Sequence, residues 1–169
     1  MYQEGNTVIE QSSNGKRVVV MGVTGTILFE LLMASAPIIG APVLNVALWD
    51  GSLLTLNLRF ATIVGFGLEI LFGILLAYVY QNWVVWRLKG SYWQKGTVFG
   101  IVLWLLLMVF GLPLFDRVSP LVNNGLMLAP GVFARHFGAK TAIIFLVAMW
   151  GFGLSLSYLN ENPTRLPYG

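Results

Sequence analysis

The stretch FATIVGFGLEILFGILLAYV (60–79) contains a single charged side chain, Glu69. About 20 apolar residues in a helix cross the hydrocarbon core of a bilayer, so this stretch predicts a membrane-spanning helix. Five of its residues recur at four-residue steps: Ala61, Gly65, Glu69, Gly73 and Ala77. Such steps keep side chains on one helix face. Glu69 therefore lies in the middle of a stripe of small residues, the kind of surface at which membrane helices pack closely.

The composition of the whole chain indicates an integral membrane protein. Of its 169 residues, 57% are hydrophobic and only 10% are charged, whereas about 25% are charged in a typical soluble domain. The chain has no cysteine, which excludes disulfides, thiolate metal sites and iron–sulfur clusters.

Four apolar stretches predict an all-α fold, a bundle of four transmembrane helices with short interfacial segments. The predicted spans are 18–38, 59–80, 96–112 and 138–158. Pro37 is expected to end the first span, and Gly111 and Pro113 the third. Segment 42–49 is too short to cross, and Trp49 at its end predicts a position at the membrane interface.

The two ends of the chain are expected to lie outside this membrane domain. Residues 1–16 form a polar N-terminal tail, residues 17–159 the membrane domain and residues 160–169 a C-terminal tail. Tails of this composition are expected to be disordered when alone. The first span resembles a signal peptide, with Ala34-Ser35-Ala36 as a cleavage-like site, but Pro37 follows directly, so we expect an uncleaved helix.

The basic residues predict an orientation. With four spans, six of the ten fall on the side of the termini: Lys16, Arg17, Arg87, Lys89, Lys95 and Arg165. The others are Arg59, Arg117, Arg135 and Lys140. The bias favours cytoplasmic termini, in a bacterial inner membrane. Aromatic residues interleave with the basic ones at 78–96, which is typical of an interfacial belt and not of a nucleic-acid surface: Tyr78, Tyr80, Trp83, Trp86, Tyr92 and Trp93.

A second intramembrane acid lies in the first span. Gly22, Thr26, Glu30 and Ala34 again recur at four-residue steps. Glu30 and Glu69 each lie about 12 residues, or ~18 Å, from the same end of their helices. Consecutive helices are antiparallel, so the two carboxyls are expected to meet near mid-membrane. Two carboxylates without a cation cannot both stay ionised in low dielectric, and at least one is expected to carry a proton at neutral pH.

Three interpretations of this carboxyl pair remain open. The glutamates act as interhelical hydrogen-bonding groups, with each other, Thr24, Thr26 or helix carbonyls as partners. Alternatively, they contact a neighbouring subunit or a cofactor, or they form a proton or cation path.

Other candidate sites lie near the ends of the spans. Gly96 and Gly100 form a GxxxG packing motif. Arg59, Arg135, His136 and Lys140 are candidates for contact with lipid head groups or a partner. His136, the only histidine, is expected to be interfacial, with haem, chlorophyll or quinone contact as an alternative.

Three further features concern the side opposite the termini. Asp50 with Arg59, and Asp116 with Arg117, are possible exposed ion pairs. The loop 112–137 is expected to lie flat on that face or beneath another protein, because irregular backbone is not viable in lipid.

The first half of the chain resembles small four-helix membrane proteins of bacteria and archaea. The resemblance rests on Gly25-Thr26 in the first span, the Pro37-to-Gly40 spacing after it, and Glu69 with Gly73. Such proteins occur as accessory subunits of respiratory or photosynthetic electron-transfer complexes, for example alternative complex III. Where the resemblance implies histidine in the second span this chain has Glu69, which argues against a metal or haem role.

The sequence contains no phosphate-binding loop, zinc motif or catalytic triad, so an enzyme is not expected. Our leading hypothesis is a non-catalytic accessory subunit of an energy-converting membrane complex. It would have membrane subunits and lipids as partners, no nucleic acid, and no cofactor of its own beyond peripheral lipid or quinone. The alternatives are a small proton or cation conductor or transporter using Glu30 and Glu69, and a pigment- or quinone-contacting subunit using His136.

Overall fold

The computed structural model describes residues 3–42 and 44–162, with side chains from Asn14 onward. Its α-helices are α1 (Gln3–Ala34), α2 (Val46–Ser52), α3 (Leu58–Val79), α4 (Val85–Arg87), α5 (Tyr92–Leu106), α6 (Leu112–Val118), α7 (Pro120–Asn123) and α8 (Ala139–Glu161). Two π-turns, Tyr80–Val84 and Leu107–Gly111, join α3 to α4 and α5 to α6. Two 3-10 turns cover Ala36–Ile39 and Val132–Ala134.

The all-α fold with four long apolar helices is confirmed. Four segments have the length and apolar composition needed to cross a membrane: Asn14–Ile39, Leu58–Arg87, Tyr92–Val118 and Ala139–Glu161. They are called spans one to four below. The end of the molecule that carries 40–57 and 119–138 is the connector end, and the opposite end is the terminal end.

Span three does not stop at Gly111 and Pro113. The backbone N–H of Leu112 donates to the carbonyl of Leu107, a bond across five residues, and the helix then continues to Val118. A proline ring clashes with the carbonyl four residues earlier in a regular α-helix. The wider π-turn directly before Pro113 accommodates the ring, so the helix passes through it.

The described parts of the terminal tails are mostly helical, whereas disorder was expected. Helix α1 begins at Gln3, so the backbone of most of the polar segment 1–16 is helical. Helix α8 runs to Glu161. Residues 163–169 of the predicted C-terminal tail lie outside the described residues.

The four spans form an open arc. Helix α1 packs against both α3 and α8, and α8 also packs against α5, but α3 and α5 share no packed interface along their length. The short helix α2 folds back into the bundle beside the beginning of α3.

Glycines hold the α5–α8 side of the arc together. A Cβ on Gly96 would lie 2.8 Å from the carbonyl oxygen of Gly153, and a Cβ on Gly100 would lie 2.9 Å from the Cα of Trp150. The indole N–H of Trp150 donates to the hydroxyl of Thr97 at 2.9 Å. The GxxxG motif of span three therefore lies against α8, where backbones approach closely.

The arc is closed at the terminal end. Tyr80 is fully buried, not exposed as an interfacial belt residue. Its hydroxyl donates to Ser157 at 2.6 Å, and its ring meets Phe99 edge-on with centroids 5.0 Å apart. The expected belt positions Tyr78, Trp83, Trp86 and Trp93 are exposed. A salt bridge of 3.0 Å between Lys95 and Glu161 joins α5 to α8 at the same end.

The arc is also closed at the connector end, where Trp49 was expected at the membrane interface. Trp49 of α2 is only 4% exposed and stacks on Phe115, with ring centroids 5.3 Å apart. It is therefore a core residue and not an interfacial anchor.

The long connection before span four packs against this chain's own helices. Leu121 and Ala134 are buried within it, and the backbone N–H of Gly131 donates to Asp116 at 2.9 Å. The chain's own helices thus cover part of this irregular backbone and satisfy some of its polar groups, which neither expected arrangement included. Cover of the exposed part by another protein stays a prediction.

Removing the Tyr80 hydroxyl is expected to destabilise the terminal end. Because both Tyr80 and Ser157 are fully buried, Tyr80→Phe leaves a polar partner without its bond, at a cost of about 1 kcal/mol. Thermal unfolding in detergent, followed by circular dichroism, should show a lower midpoint for Tyr80→Phe than for the wild type. Tyr78→Phe, two residues away at an exposed position, is the matched control, and equal midpoints for the two variants would contradict the assignment.

Candidate functional site: a cavity lined by carboxyls

The small-residue stripe of α3 is buried along its whole length, but it faces two different partners. Near the connector end, Gly65 lies against the carbonyl of Ala47 in α2. Near the terminal end, Gly73 lies against Gly22 and the Thr26 hydroxyl of α1. Glu69 sits between these two contacts, at the point where the stripe changes partner. Its side chain is thus placed at a gap between α1 and α2.

The corresponding stripe of α1 is shorter than expected. Gly22 and Thr26 are buried against α3, Glu30 is half-buried and Ala34 is exposed. A four-residue step exceeds one helical turn by about 40°, so the stripe winds slowly around the helix axis. At Ala34 the stripe therefore no longer faces the bundle interior, and Met33 is buried instead, at 2% exposure.

Glu30 and Glu69 come together, with few hydrogen-bond donors around them. Glu69 is 7% exposed, and Glu30 lies within reach to share a proton with it. Two ionised carboxylates can only accept. Apart from a proton shared between the two acids, neither oxygen of Glu69 nor Oε1 of Glu30 has a hydrogen-bond donor among the described residues.

The threonines do not supply the missing bonds. The Thr26 hydroxyl donates to the backbone carbonyl of Glu69, at 3.4 Å, and not to its carboxyl group. Thr24 faces outward. Of the partners expected for glutamates that bond between helices, the two threonines are therefore not used, and the other glutamate is the one within reach.

Asp50 of α2 joins the pair as a third acid. It interacts electrostatically with both Glu30 and Glu69, and the predicted ion pair with Arg59 is not formed among the described residues. Asp50 lies outside the four spans, and loss of water around it raises the pKa of its carboxyl to about 6, with the charge of Glu30 as the smaller cause.

A signal for the contact between α2 and α3 is present in the sequence, although the interfacial prediction for 42–49 took no account of it. Ala47 and Gly51 are a small pair at four-residue spacing, and they match Gly65 and Ala61 of α3. Recognising that pair would have moved segment 42–49 from the interface into the bundle and placed Asp50 near Glu69.

The carboxyls face a cavity of about 350 Å³. Asp50 and Glu69 line it together with Thr26, while the remaining lining is apolar. Four phenylalanines contribute to the walls: Phe29, Phe72, Phe145 and Phe152. The volume falls within the range of small-molecule pockets, roughly 300–1,000 Å³.

The cavity opens sideways, through the gap between α3 and span three. Phe72 and Leu75 line it and are more than half exposed, and Leu107 lines it from the π-turn of span three. Tyr80 bounds this gap at the terminal end and Trp49 with Phe115 at the connector end. In a membrane, the opening would face the acyl chains.

The candidates at the connector end lie apart from this cavity. Arg59, Arg135, His136 and Lys140 are all exposed. The His136 ring donates from Nδ1 to the carbonyl of Ala129 at 2.7 Å, and its Nε2 accepts from Arg135 at 3.2 Å. Both ring nitrogens thus have a partner within the chain, and contact of His136 with a pigment or a quinone stays a prediction.

Arg135 also borders a second hollow of about 490 Å³ between α5 and α8. Its walls are otherwise apolar, with Trp104 and Ile143 among them. Contact of Arg135 with a lipid head group remains a prediction.

Comparison with protein-family models, curated proteins and solved structures gives no significant match. Within residues 3–42 and 44–162, no group of three or more His, Cys, Asp or Glu side chains is arranged to hold a metal ion. A function must therefore be inferred from the chemistry of the cavity.

Proposed function

We infer that this chain is a small membrane transporter or conductor that binds protons or monovalent cations at the carboxyl cluster of Glu30, Asp50 and Glu69. The observation that carries the proposal is Glu69: 7% exposed, without a hydrogen-bond donor among the described residues other than a proton shared with Glu30, and lining a cavity that a ligand could occupy. Acids inside a membrane are costly and mark ion or proton pathways in many proteins.

Proton exchange fits this arrangement better than static packing. A carboxyl that served packing alone would be expected to accept from donors of a neighbouring helix, whereas the one side chain within reach of the Glu69 carboxyl among the described residues is Glu30, another acid. Three carboxyls in one apolar region repel one another when ionised, so the region attracts protons or a cation. Binding a cation and releasing a proton leaves the net charge unchanged, which is the basis of exchange.

The orientation belongs to the same proposal. With four spans, six of the ten basic residues are expected on the side of the termini, and this supports cytoplasmic termini in a bacterial inner membrane.

The accessory-subunit hypothesis remains a second prediction. Of the small-residue stripes expected on spans one to three, the positions Gly22, Gly65, Gly73, Gly96 and Gly100 pack within the chain itself. They are therefore already used and do not offer a neighbouring subunit a close-packing surface. Co-elution of a larger electron-transfer complex from mild detergent would favour the subunit hypothesis.

The chain purified alone and reconstituted into lipid vesicles is the direct test. Vesicles with a trapped pH-sensitive dye should lose an imposed pH gradient faster when they contain the protein than when they are empty. Rates equal to those of empty vesicles, from protein shown to be folded by circular dichroism, would contradict the transport proposal.

A further inference from the structure

We propose that the cavity binds an amphipathic organic cation, a monovalent ammonium with a compact apolar or aromatic body, with Glu69 as the counter-ion and the surrounding phenylalanines as the walls. The inference rests on the proposed function and names the class of substrate.

The charge of the ligand follows from the lining. Asp50 and Glu69 are the ionisable side chains that line the cavity, and the one salt bridge formed within the described part of the chain, between Lys95 and Glu161, lies at the terminal end. A buried carboxylate requires a positive partner. A cationic ligand supplies one, whereas an anion would add to the repulsion.

The body of the ligand follows from the walls. Phe29, Phe72, Phe145 and Phe152 line the cavity, and aromatic faces attract ammonium groups by the cation–π interaction. A bare metal ion is poorly matched, because hard cations take several oxygen ligands and the described residues form no such group. An alkylammonium needs only one carboxylate and apolar contacts.

The route of access fits the same chemistry. Because the opening lies between α3 and span three at Phe72 and Leu75, a ligand reaches it from the acyl-chain region. Amphipathic cations partition into membranes with the apolar body in the acyl region, whereas strongly hydrated inorganic ions do not. The π-turn at Leu107–Gly111 borders the opening, and π-turns occur frequently at functional sites.

Binding of radiolabelled benzyltrimethylammonium to the full-length chain in detergent tests the proposal. Unlabelled cation should displace the label, while neopentylbenzene, the neutral isostere, and benzenesulfonate, an anion, should not. This comparison uses the wild-type protein and so does not depend on the folding of any variant. Absence of binding, or equal displacement by neopentylbenzene, would overturn the proposal, and the latter would indicate a cavity for lipid tails.

Two substitutions locate the binding site. Glu69→Gln should weaken binding about thirtyfold or more, as expected for loss of a buried charge partner. Phe72→Leu should weaken it roughly two- to thirtyfold through the lost cation–π contact. Phe66→Leu, on the same helix but outside the cavity lining, is the matched control. Equal affinity for all three variants and the wild type would place binding elsewhere and overturn the proposal.

Flux measurements separate this inference from the proposed function. Proton flux in vesicles together with no benzyltrimethylammonium binding would overturn the substrate class and leave proton conduction intact. Cation binding together with no flux would overturn transport and leave the binding site supported.

Discussion

Glu69→Gln is expected to reduce proton or cation flux in reconstituted vesicles to the level of empty vesicles. Glutamine has nearly the same shape as glutamate, but it does not bind and release a proton near neutral pH. It also offers a cation no negative charge. Because Glu69 lines the cavity where the stripe of α3 changes partner, the substitution removes the central group of the cluster. Dye-loaded vesicles provide the measurement.

The fold should survive this substitution. Apart from a proton shared with Glu30, the Glu69 carboxyl has no hydrogen-bond partner among the described residues, and a glutamine amide can still donate to Glu30. Glutamine also cannot ionise, so the substitution adds no repulsion among the neighbouring acids. Glu161→Gln, which removes a partly exposed carboxylate at the terminal end, is the control and should keep wild-type flux. Flux lost equally in both variants, or in neither, would refute the assignment of Glu69.

Gly65→Leu is expected to produce the largest loss of stability. A Cβ on Gly65 would overlap the carbonyl oxygen of Ala47, a backbone atom that cannot move without shifting α2. Overpacking typically costs about 1–3 kcal/mol of stability, and the cost is greater when rigid groups collide. We expect α2 to be displaced from α3, a much lower unfolding midpoint in detergent, and loss of the cavity wall that carries Asp50.

The chain contains a matched control for this substitution two residues away. Gly67 lies in the same helix, but a Cβ added there meets no atom within 4 Å. Gly67→Leu should therefore be neutral, or stabilising by up to about 1 kcal/mol, because glycine is a poor helix former. If the two variants unfolded at the same temperature, the close packing of α2 on α3 would not hold.

The existence of four spans and the meeting of Glu30 with Glu69 could be predicted from hydrophobicity and four-residue spacing alone. These features depend on local composition, and the membrane limits the chain to few arrangements. The stripe of α3 could be predicted as a packing face because each of its members is small except Glu69. The two helices that the stripe contacts, α1 and α2, could not be predicted, since a surface of small residues is compatible with many neighbours.

The position of Asp50 beside the two glutamates was not predicted, because Asp50 lies in a segment too short to span the membrane. Length and the terminal Trp49 suggested an interfacial position, whereas the small pair Ala47 and Gly51 allows close contact with α3. The passage of span three through Pro113 was missed for a similar reason. A proline normally ends a helix, and the π-turn that accommodates it here is not marked by the local residue pattern.

The central claim is that Glu69 lies in an apolar cavity, carries or shares a proton, and can be reached from the acyl-chain region. A membrane-soluble carbodiimide reacts with protonated carboxyls in such surroundings, and peptide mass spectrometry of the treated protein in vesicles locates the adduct. We predict modification at Glu69 by the membrane-soluble reagent, little by a water-soluble carbodiimide, and none at Asp116 or Glu161. An unmodified Glu69, or modification of Glu69 mainly by the water-soluble reagent, would contradict the claim.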